Sequence, residues 1–349
     1  MTTAKSSPAD RGVKTMHAWV QNTYGSPDVL SREATPVPTA GTGQLRVRVA
    51  AASVNARDWH IMRGEPRIAR LLDRSVFRRK APTAAVRGTD FAGTVDAVGS
   101  DVTGWRPGDR VFGEAVGTLA HYVVVAPETV ARIPVGTTFE QAAAIPLAAT
   151  TALTCLRAAD PSPGERILIN GGSGGVGTFA IQLATALGLH VTAVCSARNA
   201  ALARSLGANV TLDYNSEDFC ATAERYAVAL DLVGNRAVRA LRALVDEGGT
   251  LVLSGGGVSG KGRFIGPIGL LIRAQLLSRL PGPRIVIPEA HPTREMLQEL
   301  ATLVSSGALK PVIDHTYRFG EAPDAVRHLE TQHARAKVVV TVADQGDRG

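Results

Sequence analysis

One segment of the sequence restricts the fold more than any other: an apolar strand that runs directly into a glycine-rich turn and a helix. The strand is RILIN (166–170), the turn is GGSGGVG (171–177), and a second apolar strand, HVTAVC (190–195), follows. In the spacing G-x-G-x-x-G, one glycine makes the tight turn, one lets backbone approach a pyrophosphate, and one lets helix and strand pack closely. The helix amino terminus attracts the anion. The segment therefore predicts a dinucleotide-binding unit, against the alternative of a glycine-rich turn without a ligand. The predicted cofactor-binding residues of the turn are Gly172, Gly174, Gly175, Val176 and Gly177.

The rest of the chain divides into two regions of different texture. From His17 to about Phe139, short β-like runs broken by Gly and Pro indicate a compact, mostly β domain. From Glu140 onward, Ala-rich helical stretches alternate with short continuous apolar strands, which is typical of a parallel sheet covered on both faces. The 349 residues, 45% of them apolar, are enough for two domains with cores. The predicted class is α/β, a doubly wound parallel sheet joined to a mostly β domain.

The end of the second strand distinguishes between the two nicotinamide dinucleotides. An Asp or Glu there binds the ribose hydroxyls of NAD and repels a 2′-phosphate. The sequence has no acid at this point and reads CSARN (195–199). The hydroxyl of Ser196 and the guanidinium of Arg198 suit a phosphate dianion through charge-assisted hydrogen bonds, which predicts NADP(H). An arginine that is simply solvated at the start of a helix is the other interpretation.

Composition and charge argue against several classes of protein. A net charge of +7 spread over the chain is weak support for a nucleic-acid partner, and none is expected. Cys155, Cys195 and Cys220 show no C-x-x-C or Cys-His spacing, so we expect neither a disulfide framework nor a structural zinc knot. Residues 1–14 are polar and lack the apolar run of a signal peptide. No later stretch gives the ~18 consecutive apolar residues of a spanning helix. We expect a reduced, cytoplasmic chain with a disordered tail over residues 1–14.

Five motifs, read in order, carry a resemblance to a known family. They are GTDFAGTVDAVG (88–99), RPGDRVFG (106–113), AAAIPLAATTALTCL (142–156), NGGSGGVGTFAIQLA (170–184) and ARAKVVVTV (334–342). Together they resemble the medium-chain dehydrogenase/reductase superfamily, and more narrowly its zinc-free quinone oxidoreductase branch. The resemblance covers nearly the whole chain after Met16. It implies a GroES-like catalytic domain of residues 15–139 and 289–349, with a Rossmann NADP-binding domain of residues 140–288 inserted between its two parts.

The resemblance also bears on a metal site. Zinc-dependent members of the superfamily place a Cys, a Gly-His-Glu and a further Cys or Asp around a catalytic zinc. The matching positions here read Asn55 and Gly88-Thr89-Asp90. Without a thiolate or a His-Glu pair, the ligands that hold zinc are missing from these positions. We therefore expect no metal, and we expect Asp58, His60 and Asp90 to be hydrogen-bonding groups.

Without a Lewis acid, deprotonating a simple alcohol is difficult, so the expected reaction is hydride transfer to an electron-poor acceptor. A quinone or an α,β-unsaturated carbonyl needs only positioning and a donor aimed at the oxygen where charge develops. The catalytic candidates are Asn55, Asp58 and His60. By the resemblance, Asn55 matches an Asn of the pattern N-x-x-D that faces the nicotinamide. His60 stands where the pattern usually has Tyr, and is either the proton donor or an ordinary packed histidine. Asp58 either holds His60 or the backbone in place, or caps the helical turn that it begins.

Three more cofactor-binding residues are implied by the resemblance alone. Thr151 matches a cofactor-contacting Thr, Tyr214 matches a Tyr near the 2′-phosphate, and Lys337 matches a Lys near the cleft. Relatives often have Lys at the position of Asn199. Arg198 beside it would then have to take the place of that Lys, although a guanidinium and an ammonium are not equivalent.

Two basic segments lie outside these motifs. Residues 63–80 hold seven basic and two acidic groups, and residues 261–288 hold five basic groups and no acid. A helix over 65–79 would present arginines on one face and apolar residues on the other. One interpretation is a substrate lid together with an oligomer interface. The sharper hypothesis is a basic, apolar rim that touches an anionic membrane and extracts a lipophilic quinone or enone.

The sequence thus predicts an NADPH-dependent, zinc-independent reductase of a small-molecule quinone or enone. Within enzymes, the alternative is an enoyl-thioester reductase, which would need a deeper acyl channel. A non-catalytic NADPH-binding sensor or partner protein is the alternative from a different class, and a zinc alcohol dehydrogenase is a distant further one. The resemblance suggests a homodimer.

Overall fold

The structure, a computed structural model, describes residues 14–255, 274–331 and 335–342. The expected disordered tail (1–14) lies outside the described residues except for Lys14, and so does the part of the second basic segment from residue 261 to 273. The described chain forms a six-stranded sheet, a seven-stranded sheet and a two-stranded hairpin, with helices packed on them. This arrangement confirms the predicted α/β class.

The described strands are β1 (Thr15–Gln21), β2 (Leu30–Pro36), β3 (Leu45–Val54), β4 (Asp90–Val98), β5 (Arg110–Glu114), β6 (Tyr122–Val125), β7 (Val130–Arg132), β8 (Arg166–Asn170), β9 (His190–Cys195), β10 (Val210–Asp213), β11 (Tyr226–Asp231), β12 (Val245–Leu253), β13 (Arg284–Val286), β14 (Ile313–Arg318) and β15 (Lys337–Thr341). The described helices are α1 (Ala56–Arg63), α2 (Ala69–Leu72), α3 (Phe139–Ala143), α4 (Pro146–Ala159), α5 (Gly175–Ala186), α6 (Ala200–Ser205), α7 (Val238–Arg242), α8 (Arg294–Ser305) and α9 (Ala322–Thr331). Short 3₁₀ turns span Pro27–Val29, Pro127–Thr129, Ala197–Asn199 and Phe319–Glu321.

The six-stranded sheet is parallel, in the order β10-β9-β8-β11-β12-β13. Ile167, Leu168 and Ile169 of β8 are completely buried, because helices and connecting segments cover both faces of the sheet. Each such side chain contributes about 1.5–3 kcal/mol of burial free energy, which explains the unbroken apolar sequence of the strand. The strand order reverses between β8 and β11. In open α/β sheets, ligands bind at the carboxyl ends of the strands on either side of such a reversal.

The seven-stranded sheet joins the two ends of the described chain. Its order is β14-β15-β3-β4-β5-β7, with β6 also paired to β3. Strand β15 returns from the far end of the sequence and pairs antiparallel with β3, so that Val338 lies opposite Val54. This pairing brings Lys337 beside Asn55. The domain boundaries expected from the resemblance stay predictions.

Two helical expectations have different outcomes. The segment TREMLQELATLVSSGALKP (293–311), with its leucines on one face, predicts an amphipathic helix. The structure forms this helix as α8, with Leu297 and Leu300 fully buried. Within residues 65–79 only Ala69–Leu72 is α-helical, so the suggested helix over this range is not formed. In the parts of the chain described here, no helix is both long and apolar enough to cross a membrane.

Candidate active site

The first turn of α1 is fixed by Asp58. Asn55 is the N-cap, with extended backbone and 5% exposure, and its N–H donates to Asp58 Oδ2 at 2.8 Å. The other oxygen, Asp58 Oδ1, accepts from the hydroxyl of Thr89. Burial raises the pKa of Asp58, while the hydrogen bonds and the nearby Arg87 oppose the rise. Asp58 therefore holds the backbone and caps the first turn of α1 by the same hydrogen bond, and among the described residues no hydrogen bond joins it to His60.

Asp90, the first residue of β4, gathers hydrogen-bond donors from four other elements. Its Oδ2 accepts from Ser53 Oγ at 3.0 Å, from Asn55 Nδ2 at 3.0 Å and from Lys337 Nζ at 3.3 Å. Its Oδ1 accepts from the backbone N–H of Leu147, near the start of α4, at 3.2 Å. The Lys337 ammonium also donates to Asn55 Oδ1. Asp90 is 0% and Lys337 is 2% exposed, so the two form a fully buried ion pair. The predicted catalytic amide of Asn55 is hydrogen bonded to both members of this pair.

His60 lies on α1, five residues after Asn55, and its ring is stacked on that of Trp59, with centroids 3.7 Å apart. Its Nδ1 is buried and has no hydrogen-bond partner. Desolvation lowers the pKa of His60 to about 4, so the ring is neutral near pH 7. Among the described residues, no hydrogen bond links its ring to Asn55, Asp58 or Lys337.

The three motif glycines have three different surroundings. A Cβ on Gly172 would lie 2.9 Å from the Cβ of Ala193 on β9, and a Cβ on Gly177 would lie 2.1 Å from the carbonyl oxygen of Gly171. These two glycines are therefore required by close packing. A Cβ on Gly174 would meet nothing nearer than the Gly171 oxygen at 3.4 Å. A Cβ on Gly174 would therefore make only an ordinary van der Waals contact, so close packing does not require this glycine, and its position at the start of α5 is the one that a pyrophosphate approaches.

The glycine-rich turn is also in contact with β15. The backbone N–H of Ala336 donates to the carbonyl oxygen of Ser173 at 2.8 Å, and Ala336 forms a bridge with Gly174. Ala336 adopts a left-handed backbone (φ 61°), which is uncommon for a residue with a Cβ. A Cβ on Gly175 would lie 3.1 Å from Lys337 Cδ. The predicted catalytic amide and the predicted dinucleotide turn are therefore joined through Lys337.

At the carboxyl edge of the parallel sheet, the last residues of β8 and β11 form a buried polar pair. Asn170 Nδ2 donates to Asp231 Oδ1 at 2.8 Å, and the N–H groups of Val233 and Gly234 donate to the same oxygen. Asp231 Oδ2 is buried without a partner. A carboxylate oxygen without a donor, located where the strand order reverses, fits a site whose ligand supplies a hydroxyl or amide donor.

The predicted 2′-phosphate residues follow the ends of neighbouring strands. Cys195 of β9 and Asp213 of β10 are register partners, so Ser196 and Tyr214 leave the sheet side by side. Tyr214 is 42% exposed. Asn199 is buried, and its Nδ2 donates to the hydroxyl of Ser173 at 3.0 Å, so it braces the glycine-rich turn.

The remaining cofactor-binding candidates lie in helices. The Thr151 hydroxyl donates to the Leu147 carbonyl at 2.7 Å, so in the structure it is bonded to the backbone of the first turn of α4. Val176, in the first turn of α5, is partly buried and packs against the main hydrophobic core. Their contacts with a cofactor stay predictions.

Glu114 is a titratable residue of this region that the sequence did not single out. It ends β5 directly opposite Asp90, and Arg57 Nη1 donates to its Oε1 at 2.7 Å. Burial, with Asp90 and Asp58 nearby, raises the pKa of Glu114 to about 7, although Arg57 opposes the rise. A carboxyl that titrates near neutrality therefore lies beside the Asn55 cluster.

The polar groups described above fit a dinucleotide. The described residues contain no group of three or more His, Cys, Asp or Glu side chains that could hold a metal ion. The glycine-rich turn, the position of Gly174 at the start of α5 and the unpaired Asp231 oxygen form a set that fits a pyrophosphate and a ribose.

A cavity of about 710 Å³ lies at the opposite edge of the parallel sheet and is not the dinucleotide site. It is lined by the first residues of four strands, Arg166, His190, Val210 and Tyr226, and by the segment before β11. The glycine-rich turn is at the carboxyl ends of these strands.

Some of the site residues that the sequence analysis did not name could have been identified from the sequence, and others could not. Asn170 ends the continuous apolar strand RILIN, so its position at the carboxyl edge could have been predicted. Asp231 lies inside the apolar run LDLVG (230–234), so the sequence did not mark it as the end of a strand. Ser53 and Glu114 carry no such signal, because their role depends on which residues the antiparallel sheet places opposite each other.

Comparisons with known proteins find relatives along most of the chain. Residues 41–135 match the model of the alcohol dehydrogenase GroES-like domain, and residues 206–340 match the model described as zinc-binding dehydrogenase. A 2-methylene-furan-3-one reductase of Solanum lycopersicum is 34% identical over 93% of this chain and 79% of its own length. An NADPH-dependent alkenal/one oxidoreductase of Arabidopsis thaliana, described as chloroplastic, is 33% identical over 94% of this chain and 80% of its own. Among solved structures, the quinone oxidoreductase from Coxiella burnetii is 32% identical, with a TM-score of 0.81 over 95% of this chain and 100% of that one.

Proposed function

Because the chain belongs to the medium-chain dehydrogenase/reductase superfamily, in its quinone oxidoreductase-like branch, we propose that it transfers hydride from NADPH to a quinone or an α,β-unsaturated carbonyl. The observation that carries the proposal is the contact of β15 with the glycine-rich turn. Through Lys337 it joins the buried Asn55 amide to the predicted dinucleotide site. The names of the relatives, a furanone reductase, an alkenal/one oxidoreductase and a quinone oxidoreductase, support an electron-poor carbonyl acceptor.

The chain's own residues would hold the cofactor in three places. The backbone of the glycine-rich turn would bind the pyrophosphate, with Gly174 as the point of closest approach. Asp231 Oδ2 would accept a hydrogen bond from the ligand. Ser196 and Arg198 would bind the 2′-phosphate that distinguishes NADPH from NADH. When bound, NADPH supplies the hydride.

Asn55 would provide the hydrogen bond to the acceptor. One of its two amide hydrogens is directed to Asp90, and its oxygen is held by Lys337, which leaves the second amide hydrogen for a ligand. A donor fixed beforehand stabilises the oxygen on which charge develops and needs no reorganisation during the reaction. His60, neutral at pH 7, would contribute a hydrogen bond more readily than a proton.

An absorbance assay tests this proposal. Oxidation of NADPH and of NADH is followed at equal concentrations, in the presence of a chelator, against a quinone, an enone and an enoyl thioester. We expect turnover that survives chelation, prefers NADPH and falls by about 10²-fold in Asn55→Ala. Faster turnover of the thioester than of the other acceptors would favour the enoyl-thioester reductase. Tight NADPH binding without turnover of any acceptor would favour the non-catalytic sensor. Activity that chelation abolishes would contradict the metal-independent reaction.

We also propose that the protein is a cytoplasmic homodimer. The buried, unpaired thiols of Cys155 and Cys195 support a reducing compartment. Light scattering after size-exclusion chromatography tests the dimer, and a monomeric mass at micromolar concentration would contradict it.

Contact with an anionic membrane surface belongs to the same proposal. On the segment from residue 67 to 80, Leu71 is 76% and Leu72 is 71% exposed. The exposed cations beside them are Arg67, Arg74, Arg78, Arg79 and Lys80. The segment is anchored, because the Tyr24 hydroxyl donates to the carbonyl oxygens of Arg78 and of the adjoining Ala81, and the Arg70 guanidinium lies 4.0 Å from the Tyr24 ring centroid. An anchored surface with two leucines among cations suits anionic lipid headgroups.

Vesicle sedimentation tests this contact. We expect retention on vesicles with anionic lipid but not on neutral ones, and a loss of about tenfold or more in L71S/L72S. Val135→Ser is the matched control, since Val135 is fully exposed on a different turn. Retention that is equal for wild type and L71S/L72S, or absent at low salt, would contradict it.

A further inference from the structure

We propose that Asp90 and Lys337 are positioning residues: their buried ion pair fixes the orientation of the Asn55 amide and ties that amide to the glycine-rich turn. The inference rests on the proposed function, since it states how the donor of that reaction is held. It assigns Lys337 a role that acts through Asn55, and not through direct contact with a cofactor.

The first support is the chemistry on the two sides of the Asn55 amide. The Lys337 ammonium donates to Oδ1, and Nδ2 donates to the carboxylate of Asp90 at 3.0 Å. Turning the amide over would place its NH₂ group against the ammonium and its carbonyl oxygen against the carboxylate. Both contacts would be repulsive, because an ammonium only donates and an ionised carboxylate only accepts. The ion pair therefore permits one orientation of the amide.

The second support is the burial of the pair and the completeness of its hydrogen bonds. Asp90 and Lys337 are 3.3 Å apart and almost completely inaccessible to water. Burying two charges is costly, so such a pair is weak evidence for stability alone. The carboxylate oxygens of Asp90 also accept hydrogen bonds from the Ser53 hydroxyl and from the N–H of Leu147. A pair satisfied from four elements fixes the relative position of α1, α4, β3 and β15 around the amide.

The third support is the path of the Lys337 side chain. Its stem passes Gly175, where an added Cβ would lie 3.1 Å from Lys337 Cδ. The preceding residue, Ala336, is hydrogen bonded to Ser173 in the turn. The same side chain thus contacts the turn with its stem and Asn55 with its ammonium. The turn and the amide therefore have a direct side-chain connection.

A double-mutant comparison tests the inference. Turnover constants for an enone and the NADPH dissociation constant, from nicotinamide fluorescence, are measured for wild type, K337M, N55A and N55A/K337M. We expect K337M to lower kcat by about tenfold or more while the dissociation constant changes by less than about threefold. In the N55A background, K337M should lower kcat by less than about twofold further, because its effect passes through Asn55.

Two other variants keep the test independent of folding. In Gly175→Ala the new methyl group presses on the Lys337 stem without removing a charge, and we expect a smaller fall in kcat in the same direction. D90N/K337M removes both buried charges, so we expect it to unfold at a higher temperature than K337M while kcat stays low. A rise of more than about tenfold in the NADPH dissociation constant of K337M, with kcat unchanged, would make Lys337 a cofactor ligand and overturn the inference. The inference is also overturned if the fold losses of kcat in N55A and in K337M multiply in the double variant.

A spectroscopic readout separates this inference from the proposed function. The side-chain amide signal of Asn55, assigned in ¹⁵N spectra by its disappearance in N55A, should be resolved and protected from exchange in wild type. We expect it to broaden or exchange rapidly in K337M. A wild-type protein without turnover would contradict the proposed function only, whereas an Asn55 signal unchanged in K337M would contradict the positioning role.

Discussion

Among single residues, Glu114 links the site to pH. Burial and two neighbouring carboxylates raise its pKa from 4.5 to about 7. The folded protein therefore binds this proton more tightly than the unfolded chain does. The stability that the protonated form provides is fully present below pH 4.5 and is lost as the pH rises through about 7.

We predict that Glu114→Gln reduces this loss of stability with rising pH. Glutamine keeps the shape of the protonated acid but cannot ionise, and the lost pair with the half-exposed Arg57 is worth about 0–1 kcal/mol. The difference in unfolding temperature between variant and wild type should therefore rise in favour of the variant from pH 4.5 to 8. Differential scanning fluorimetry across this range measures it, with the exposed Glu128→Gln as control. Parallel curves for wild type and Glu114→Gln would show that Glu114 titrates normally.

A second residue-scale prediction concerns His60. Loss of a true general acid lowers turnover by about 10²–10⁴-fold. The pKa of about 4 leaves few charged rings at pH 7, so we expect His60→Gln to lower kcat by less than about tenfold. The pH profiles of kcat/KM for wild type and His60→Gln should also have the same shape near pH 6.5, without a break that is present only in wild type. A larger loss together with such a break would identify His60 as the proton donor.

At the scale of elements, the glycine-rich turn allows a matched pair of substitutions. The Cβ of Gly177→Ala would lie 2.1 Å from a backbone oxygen, so we expect a loss of about 1–3 kcal/mol in the free energy of unfolding. Gly174→Ala fits an ordinary backbone (φ −80°), and its Cβ would lie no nearer than 3.4 Å to a neighbouring atom. It should leave stability nearly unchanged but weaken NADPH binding by about tenfold or more, because the methyl group fills the approach of the pyrophosphate. Urea unfolding and fluorescence titration measure the two effects. Unchanged NADPH binding in Gly174→Ala would place the pyrophosphate elsewhere.

Elements buried on both faces could be predicted from the sequence, and those that depend on surface context could not. RILIN and HVTAVC could be predicted as strands because their interior positions are buried on both faces and are apolar except for Thr192. The apolar run LDLVG (230–234) predicts a strand, whereas β11 spans Tyr226–Asp231. Its first part was missed because the small side chains of Ala227 and Ala229 give no clear hydrophobic period. The suggested helix over 65–79 is reduced to four residues, and its apolar face is not packed, since Leu71 and Leu72 remain exposed.

At the scale of the whole molecule, the site depends on contacts between distant parts of the chain. Lys337 and Asn55 are separated by 282 positions, and Lys337 and Asp90 by 247. Each was visible in the sequence as a candidate, by resemblance or as a hydrogen-bonding group. Their meeting requires β15 to return to β3, and local periodicity contains no information about that pairing. The residue types of the site were thus predictable, whereas the ion pair and the shifted pKa of Glu114 arise from tertiary structure.

The contact between β15 and the glycine-rich turn implies that a bound dinucleotide stabilises both sheets. A ligand at 100 times its dissociation constant adds about 2.7 kcal/mol to the free energy of unfolding, and a ligand near its dissociation constant adds only about 0.4 kcal/mol. If Ser196 and Arg198 bind the 2′-phosphate, equal concentrations of NADPH and NADH must therefore raise the unfolding temperature unequally.

We expect a single unfolding transition that NADPH shifts upward by several degrees more than NADH does. In S196A/R198A the shift with NADPH should fall to that with NADH, because the charge-assisted bonds to the phosphate are lost. Arg225→Ala, which removes an exposed guanidinium near the opposite edge of the same sheet, should keep the wild-type difference. Equal shifts by both dinucleotides in wild type would mean that the absence of an acid after β9 does not select NADPH. Two separate transitions, with only one responding, would mean that the hydrogen bond from Ala336 to Ser173 does not couple the two sheets.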